Sequence, residues 1–222
     1  MSASRCINVV LVRHGQTDYN VEHRMQGQMD TPLNATGRAQ ATAVGSALAG
    51  RCADRGIVFD AQVTSPLQRA RDTGLAIRAA IGPSLEHLTL HEFPGLMERS
   101  GGQCEDLLMQ SPEFNRLRAL GTKSGFESME RLTARAVEAL GEIAKLSPPD
   151  GSGWVLGTTH GGLLAALSRA ATTAEDTGFD GAWGAPPNCC LATFEVKQRD
   201  GGGPPQLRML APGFEELIPR DE

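Results

Sequence analysis

Short apolar runs alternate along this chain with longer segments of helical periodicity, and this alternation restricts the fold more than any other property of the sequence. Residues 7–12 form an almost unbroken, β-branched run followed by a polar, glycine-containing stretch, which predicts a buried strand with a loop at its carboxyl end. Residues 37–48 are alanine-rich, with Val44, Ala47 and Leu48 at helical spacing and Thr36 placed as an N-cap. A strand over 59–64 is expected next, then a helix over 67–81, opened by Ser65-Pro66 and ended by Gly82-Pro83. A short extended segment over 87–93 precedes Pro94-Gly95, and the glycines of 96–107 leave that stretch without a regular assignment. Met129, Leu132, Ala136, Leu140 and Ile143 mark an amphipathic helix over 128–146, halted by Ser147-Pro148-Pro149. A strand over 154–159, a helix over 163–171 and a hairpin of 189–197 with 206–210 complete the prediction, the hairpin loop falling at 200–205.

This order predicts an α/β fold of three layers: a largely parallel central sheet with helices on both faces. A chain of 222 residues is long enough for a single domain of this kind over 1–222, with a mobile tail from about residue 212. A formal net charge of −5 argues against a nucleic-acid partner, because backbone phosphates demand a basic face. No stretch reaches the roughly 20 apolar residues of a membrane span. The run at 7–12 is too short for a signal-peptide core, so a cytoplasmic location is expected. Five cysteines with no CxxC pair and no metal-ligand spacing to the histidines predict reduced thiols, no metal and no cofactor.

Ligands of such sheets bind beyond the carboxyl ends of the strands. Two histidines occupy that position, His14 after the first strand and His160 after the strand at 154–159, each followed by glycine. Arg69 and Arg71 open the helix after another strand, and Arg13 precedes His14. Singly, each has an ordinary structural reading: a surface pair, or a tight turn at Gly161-Gly162. Together they bring three separate segments to one rim of the sheet.

These residues lie in segments that resemble the histidine phosphatase superfamily, which includes phosphoglycerate mutases and fructose bisphosphatases. The matching segments are LVRHGQTDYN at 11–20, MQGQMDTPLNATGRAQA at 25–41, TSPLQRARDT at 64–73, LMER at 96–99, GFESMERLTAR at 125–135, TTHGG at 158–162 and PNCC at 187–190. They run in the family's order along nearly the whole chain. The resemblance implies a phosphoglycerate mutase-like fold and a metal-independent hydrolase that passes a phosphoryl group from a small phosphorylated metabolite through a phosphohistidine on His14.

The chemistry explains the residue types. Attack on phosphorus needs an unprotonated imidazole nitrogen, and neighbouring arginines are expected to push His14 toward its neutral form. Charge spreads over the equatorial oxygens in the transition state, so Arg13, Arg69 and His160 serve as donors, and lysine lacks the guanidinium fork. The resemblance adds Asn20, Gln26, Gly27 and Gly161 as phosphate- or substrate-binding positions. It makes Glu98 the acid that protonates the leaving oxygen, kept protonated by the substrate's charge, and afterwards the base that activates water. Glu127 and Arg135 read as structural, the first near a helix N-terminus and the second as its partner.

The chain departs from the family pattern at Gln16, where a glutamate is usual, and over 99–106. There Gly101 and Asp106 stand where relatives place an aromatic residue and a closing glycine, so a looser or differently shaped loop is expected around Glu98. Mutases resemble one another in paired arginines after the catalytic glutamate, whereas residues 105–123 hold only Arg116, Arg118 and Lys123. Hydrolysis is therefore favoured, with phosphoglycerate mutase activity as the alternative and a catalytically degenerate binding domain as a further one. Residues that read the rest of the substrate are expected in 26–33, 95–122 and 175–187. Phosphoglycerates, sugar phosphates and fructose bisphosphate are all candidates, and the oligomeric state is left open.

Overall fold

The computed structural model describes residues 5–148, 153–171, 186–199, 203–210 and 215–217. In chain order the regular elements are β1 (Cys6–Arg13), α1 (Asp18–Val21), α2 (Ala35–Arg55), β2 (Ala61–Thr64), α3 (Gln68–Ile81), α4 (Pro83–Glu86) and β3 (Leu90–Glu92). They continue with α5 (Pro112–Ala119), α6 (Met129–Ile143), β4 (Trp154–Thr159), α7 (Gly161–Ala171), β5 (Leu191–Lys197) and β6 (Gln206–Met209). One six-stranded sheet runs in the order β3-β2-β4-β1-β5-β6. Its first four members are parallel, and β5 and β6 add antiparallel pairs at one edge.

The period-2 geometry of a strand explains why β1 carries an unbroken apolar run. Ile7, Val9 and Leu11 pack into the cluster that contains Leu132, Leu140 and Ile143 of α6 with Leu163 and Leu167 of α7. Val10 and Val12 point the other way, to Ala41, Val44 and Leu48 of α2 and Ile77 of α3. Both faces are thus covered, and each fully buried leucine contributes about 2 kcal/mol of transfer free energy. The adjacent Cys189 and Cys190 obey the same alternation, one in each cluster.

Several boundaries differ from the expectation for physical reasons. The α2 helix begins two residues before Gly37 because Asn34, not Thr36, is its N-cap, its Oδ1 accepting the Gly37 N–H at 2.8 Å. It continues to Arg55, where Gly56 at φ 63° supplies the left-handed C-cap. Ser65 and Pro66 stay outside α3, which starts at Gln68 after Leu67. The hairpin begins at Leu191 rather than residue 189 because Cys189 takes a left-handed backbone, φ 57°. Residues 215–217 are described, and part of the stretch expected to be mobile is held: Glu215 and Leu191 exchange both backbone hydrogen bonds at 2.9 Å, and Arg51 pairs with the Glu215 carboxylate.

The α5 helix has no counterpart in the sequence reading, although its signals are present. Ser111 caps it through the Phe114 N–H, Pro112 follows, Glu113 sits in the first turn and Arg116 and Arg118 in the last. Phe114 and Leu117 meet Cys104 and Phe126 in a small cluster of their own, with Met25 and Leu107 against it. Through Cys104 and Leu107 this cluster anchors the stretch that follows Glu98.

Candidate active site

Strand register brings the separate segments together. Arg13 of β1 pairs with Thr159 of β4, and Thr64 of β2 pairs with Thr158, so β1 and β2 flank β4 in step. His14 and His160 therefore come level with each other just beyond the carboxyl edge, and Ser65 follows β2 one residue earlier, level with Thr159. The His14 N–H donates to Thr159 O at 2.9 Å, the Ser65 N–H donates to Thr158 O at 3.0 Å, and the two imidazole centroids lie 5.2 Å apart.

His14 is 2% exposed, and its Nδ1 lies 2.7 Å from the Gly15 carbonyl. A carbonyl only accepts, so Nδ1 carries the proton and the neutral ring presents a bare Nε2. Its pKa falls well below 6.5, chiefly by burial and then by the charges of Arg69 and Arg13. The arginines expected to set its neutrality are thus secondary to desolvation. Gly15 itself has no room for a side chain, because a Cβ would meet Gly37 O at 2.3 Å; its N–H donates to Thr73 Oγ1 at 3.0 Å.

Arg69 is fully buried and donates to the carbonyls of Gly27 and Met29, each at 2.7 Å. Burial lowers its pKa to about 10, with Arg13 acting in the same direction and Glu98 opposing. It remains charged at neutral pH. Arg13 donates to Pro186 O and lies against Gly161, where a Cβ would stand 3.2 Å from its Nε. Among the described residues four buried side-chain polar atoms have no protein partner. Three of them are Arg13 Nε, Arg69 Nε and His160 Nδ1, all nitrogens of one site, and the two guanidinium nitrogens are donors.

Glu98 reaches the first turn of α7. Its Oε2 accepts the Gly162 N–H at 2.9 Å and its Oε1 accepts the Arg99 N–H at 2.7 Å. A Cβ at residue 162 would fall 2.4 Å from Oε1. Gly161 and Gly162 are therefore there to admit Arg13 and Glu98, and neither takes a positive φ. The loop around Glu98 is tightly held and not loose, which leaves a different shape as the alternative that stands. Arg135 donates to the carbonyls of Gly95, Met97 and Glu98 at 2.8–2.9 Å and grips both oxygens of Glu127. Gln28 Nε2 also donates to Glu98 O, while Glu105 Oε1 accepts from the N–H groups of Gln28 and Gly101. Asp106 takes a left-handed backbone, φ 67°, and its carboxylate accepts from Tyr19 and Arg24. An aromatic side chain does not fit at Gly101, where a Cβ would meet Glu105 Cγ at 2.9 Å.

Burial alone would raise the Glu127 carboxyl pKa, but the bonds and charge of Arg135 with the Ser100 N–H outweigh it, leaving a net lowering. Replacing Arg135 by lysine strands several carbonyls, and we expect a loss of about 1–3 kcal/mol in a thermal or denaturant melt. Turnover should fall with little change in KM, since the loop moves Glu98 and leaves the arginine cradle intact. An unchanged kcat in a destabilised variant would show that the loop does not position Glu98.

The remaining expected positions have mixed surroundings. The Asn20 amide oxygen closes a capping box with Thr17 and accepts from Asn188, which leaves its amide nitrogen as the group it can offer a ligand. Gln26 is buried, its Oε1 accepting from Thr17 and Thr31, which makes it a brace between two turns as well as a potential donor. Gly27 gives its carbonyl to Arg69 and has φ 50°; its N–H is what it can offer a ligand. Of the three expected cap segments, 26–33 and 95–122 meet through Gln28, Glu98 and Glu105; residues 175–185 of the third lie outside the described residues. The place of Ser65 beside His160 escaped the sequence reading, as did the grip of Arg135 on the Glu98 loop, although Arg135 does pair with Glu127 as expected. Among the described residues no group of three or more His, Cys, Asp or Glu side chains could hold a metal ion.

This chain belongs to the histidine phosphatase superfamily, branch 1, whose family model matches residues 9–203. It is 33% identical to the metal-independent phosphoserine phosphatase of Arabidopsis thaliana over 79% of this chain and 73% of that protein. It is 34% identical to the probable phosphoglycerate mutase GpmB of an Enterobacter species, over 72% of this chain and 73% of the relative. Among solved structures it resembles mycobacterial glucosyl-3-phosphoglycerate phosphatase in complex with VO3, at TM-score 0.66 and 29% identity, covering 91% of this chain and 96% of that one.

Proposed function

We propose that this protein is a metal-independent phosphatase that hydrolyses a small phosphorylated metabolite through a phosphohistidine on His14, acting as a single domain in the cytoplasm. The observation that carries the reading is the bare Nε2 of a neutral, buried His14 set among unpartnered nitrogens of Arg13, Arg69 and His160. Relatives that are phosphatases support it, as does the vanadate complex of the mycobacterial enzyme, since vanadate mimics a phosphoryl group. That none of the five cysteines forms a disulfide fits a reducing compartment.

In the first step the His14 Nε2 lone pair forms the N–P bond as the P–O ester bond breaks, and Glu98 gives its proton to the leaving oxygen. Water then attacks phosphorus while the Glu98 carboxylate takes a water proton, and the N–P electrons return to Nε2. Arg13, Arg69 and His160 bind the equatorial oxygens throughout. Phosphoglycerate mutase activity is the second reading, prompted by the GpmB likeness. Against it, Arg116 of the 105–123 segment is spent in an exposed two-point pair with Glu113.

The test is phosphate release from a panel of phosphoglycerates, phosphoserine and sugar phosphates in excess chelator, with mass spectrometry of acid-labile phosphohistidine. Phosphoglycerate interconversion without phosphate release would replace the phosphatase reading by the mutase one. Glu98→Gln should lower turnover of an alkyl phosphate by about 100-fold or more. The loss should be much smaller for p-nitrophenyl phosphate, whose leaving group departs without a proton. Equal losses on both substrates would remove Glu98 as the acid.

A further inference from the structure

His160 lies fully buried at the carboxyl end of β4, its Nε2 2.8 Å from Ser65 Oγ and its Nδ1 without a protein partner. Ser65 is also fully buried, and its hydroxyl accepts the Leu67 N–H at 3.3 Å. Its backbone is held from two sides: its N–H donates to Thr158 O, and its carbonyl accepts Thr64 Oγ1, which in turn accepts from Thr158 Oγ1 at 2.8 Å. A hydroxyl has one proton and two lone pairs. With Leu67 on a lone pair, the Ser65 proton has His160 Nε2 as its acceptor within reach.

A neutral imidazole carries a single N–H. If it stood on Nε2 it would point at Ser65, and the bare lone pair at Nδ1 would meet the incoming phosphate with repulsion. With Ser65 donating, the proton is on Nδ1, on the opposite side of the ring from Ser65. We propose that Ser65 is a positioning residue that fixes His160 as its Nδ1–H tautomer, so that His160 serves as a neutral donor to the phosphoryl group. The inference rests on the phosphatase reading for its ligand and on the Ser65–His160 geometry for its mechanism. Burial, followed by the charges of Arg69, His14 and Arg13, lowers the His160 pKa well below 6.5. The tautomer, and not a second proton, then decides what this ring offers at neutral pH.

Nitrogen NMR of ring-labelled histidine, with vanadate as the probe ligand, tests this in the full-length wild type, Ser65→Ala and Ser65→Thr. Wild type should show His160 protonated at Nδ1 and bare at Nε2. Ser65→Ala should give mixed tautomers and bind vanadate about tenfold more weakly, the loss of one oriented donor; Ser65→Thr, which keeps the hydroxyl, should restore both. If the alanine variant does not fold, Ser65→Cys makes the same comparison with a weaker donor of similar size. A Ser65→Ala protein with lower Tm but an unchanged Nδ1–H tautomer and vanadate affinity would make Ser65 merely structural and overturn the inference. So would a wild type protonated at Nε2. A wild type with the Nδ1–H tautomer that binds no vanadate would count against the phosphatase reading and leave Ser65's hold on the ring standing.

Discussion

His14→Ala should abolish p-nitrophenyl phosphate hydrolysis, lowering kcat by about 10,000-fold or more, the scale on which enzymes lose a covalent nucleophile. The guanidinium cradle and its backbone anchors at Gly27 and Met29 do not depend on the imidazole, so vanadate binding should survive where turnover does not. No phosphoryl adduct should form on the variant. Residual turnover above about one per cent would mean that another group attacks phosphorus.

The same substitution carries a pH signature. The folded-state pKa of His14 lies below its ordinary 6.5, so below about pH 6.5 the unfolded chain binds more protons than the folded one. Native stability from this group is therefore present above 6.5 and lost as pH falls through that value toward the folded pKa. Removing the imidazole should flatten the fall of Tm between neutral and acidic pH. In wild type, kcat/KM should hold as pH passes below 6.5, because the nucleophile stays neutral there. An acid limb centred at 6.5 would contradict the role of burial at His14.

Arg69→Lys is the second large effect. The guanidinium spans two carbonyls and still has an unpartnered Nε, whereas an ammonium cannot reproduce that fork. Burial brings even the arginine to about 10, and a lysine, starting lower, would be partly neutral in the same place. We expect kcat to fall by about 100- to 1,000-fold, as when one oriented transition-state donor is removed. Stability should drop by about 1–3 kcal/mol for the stranded carbonyls. A variant within a few-fold of wild type in turnover would show that Arg69 acts only as a brace for the turn at 27–29.

Much of this could be read from the chain. Strand and helix order follow from local periodicity, and β4 spans the 154–159 expected from the sequence. The residue types of the candidate site follow from the segments carrying Arg13, His14, Arg69, Glu98 and His160. Less legible were features that depend on a partner distant in sequence. Arg135 reaches 37 to 40 residues back along the chain to the Glu98 loop. Ser65 meets His160 across 95 residues. Residue spacing carries no trace of either contact. The glycines after His160 looked like a turn because conformational freedom is the default reading of glycine, whereas space for Arg13 and Glu98 is what they supply.

Short-range patterns of apolar side chains set the layers of the fold, and the residue order sets the chemical identities that meet beyond the strands. The states of those groups depend on the folded neighbourhood. Which histidine nitrogen carries the proton, how far burial outweighs the arginines, and how tightly Glu98 is held are set by desolvation and by hydrogen-bond partners. Those exist only once β2, β4 and β1 lie side by side in register.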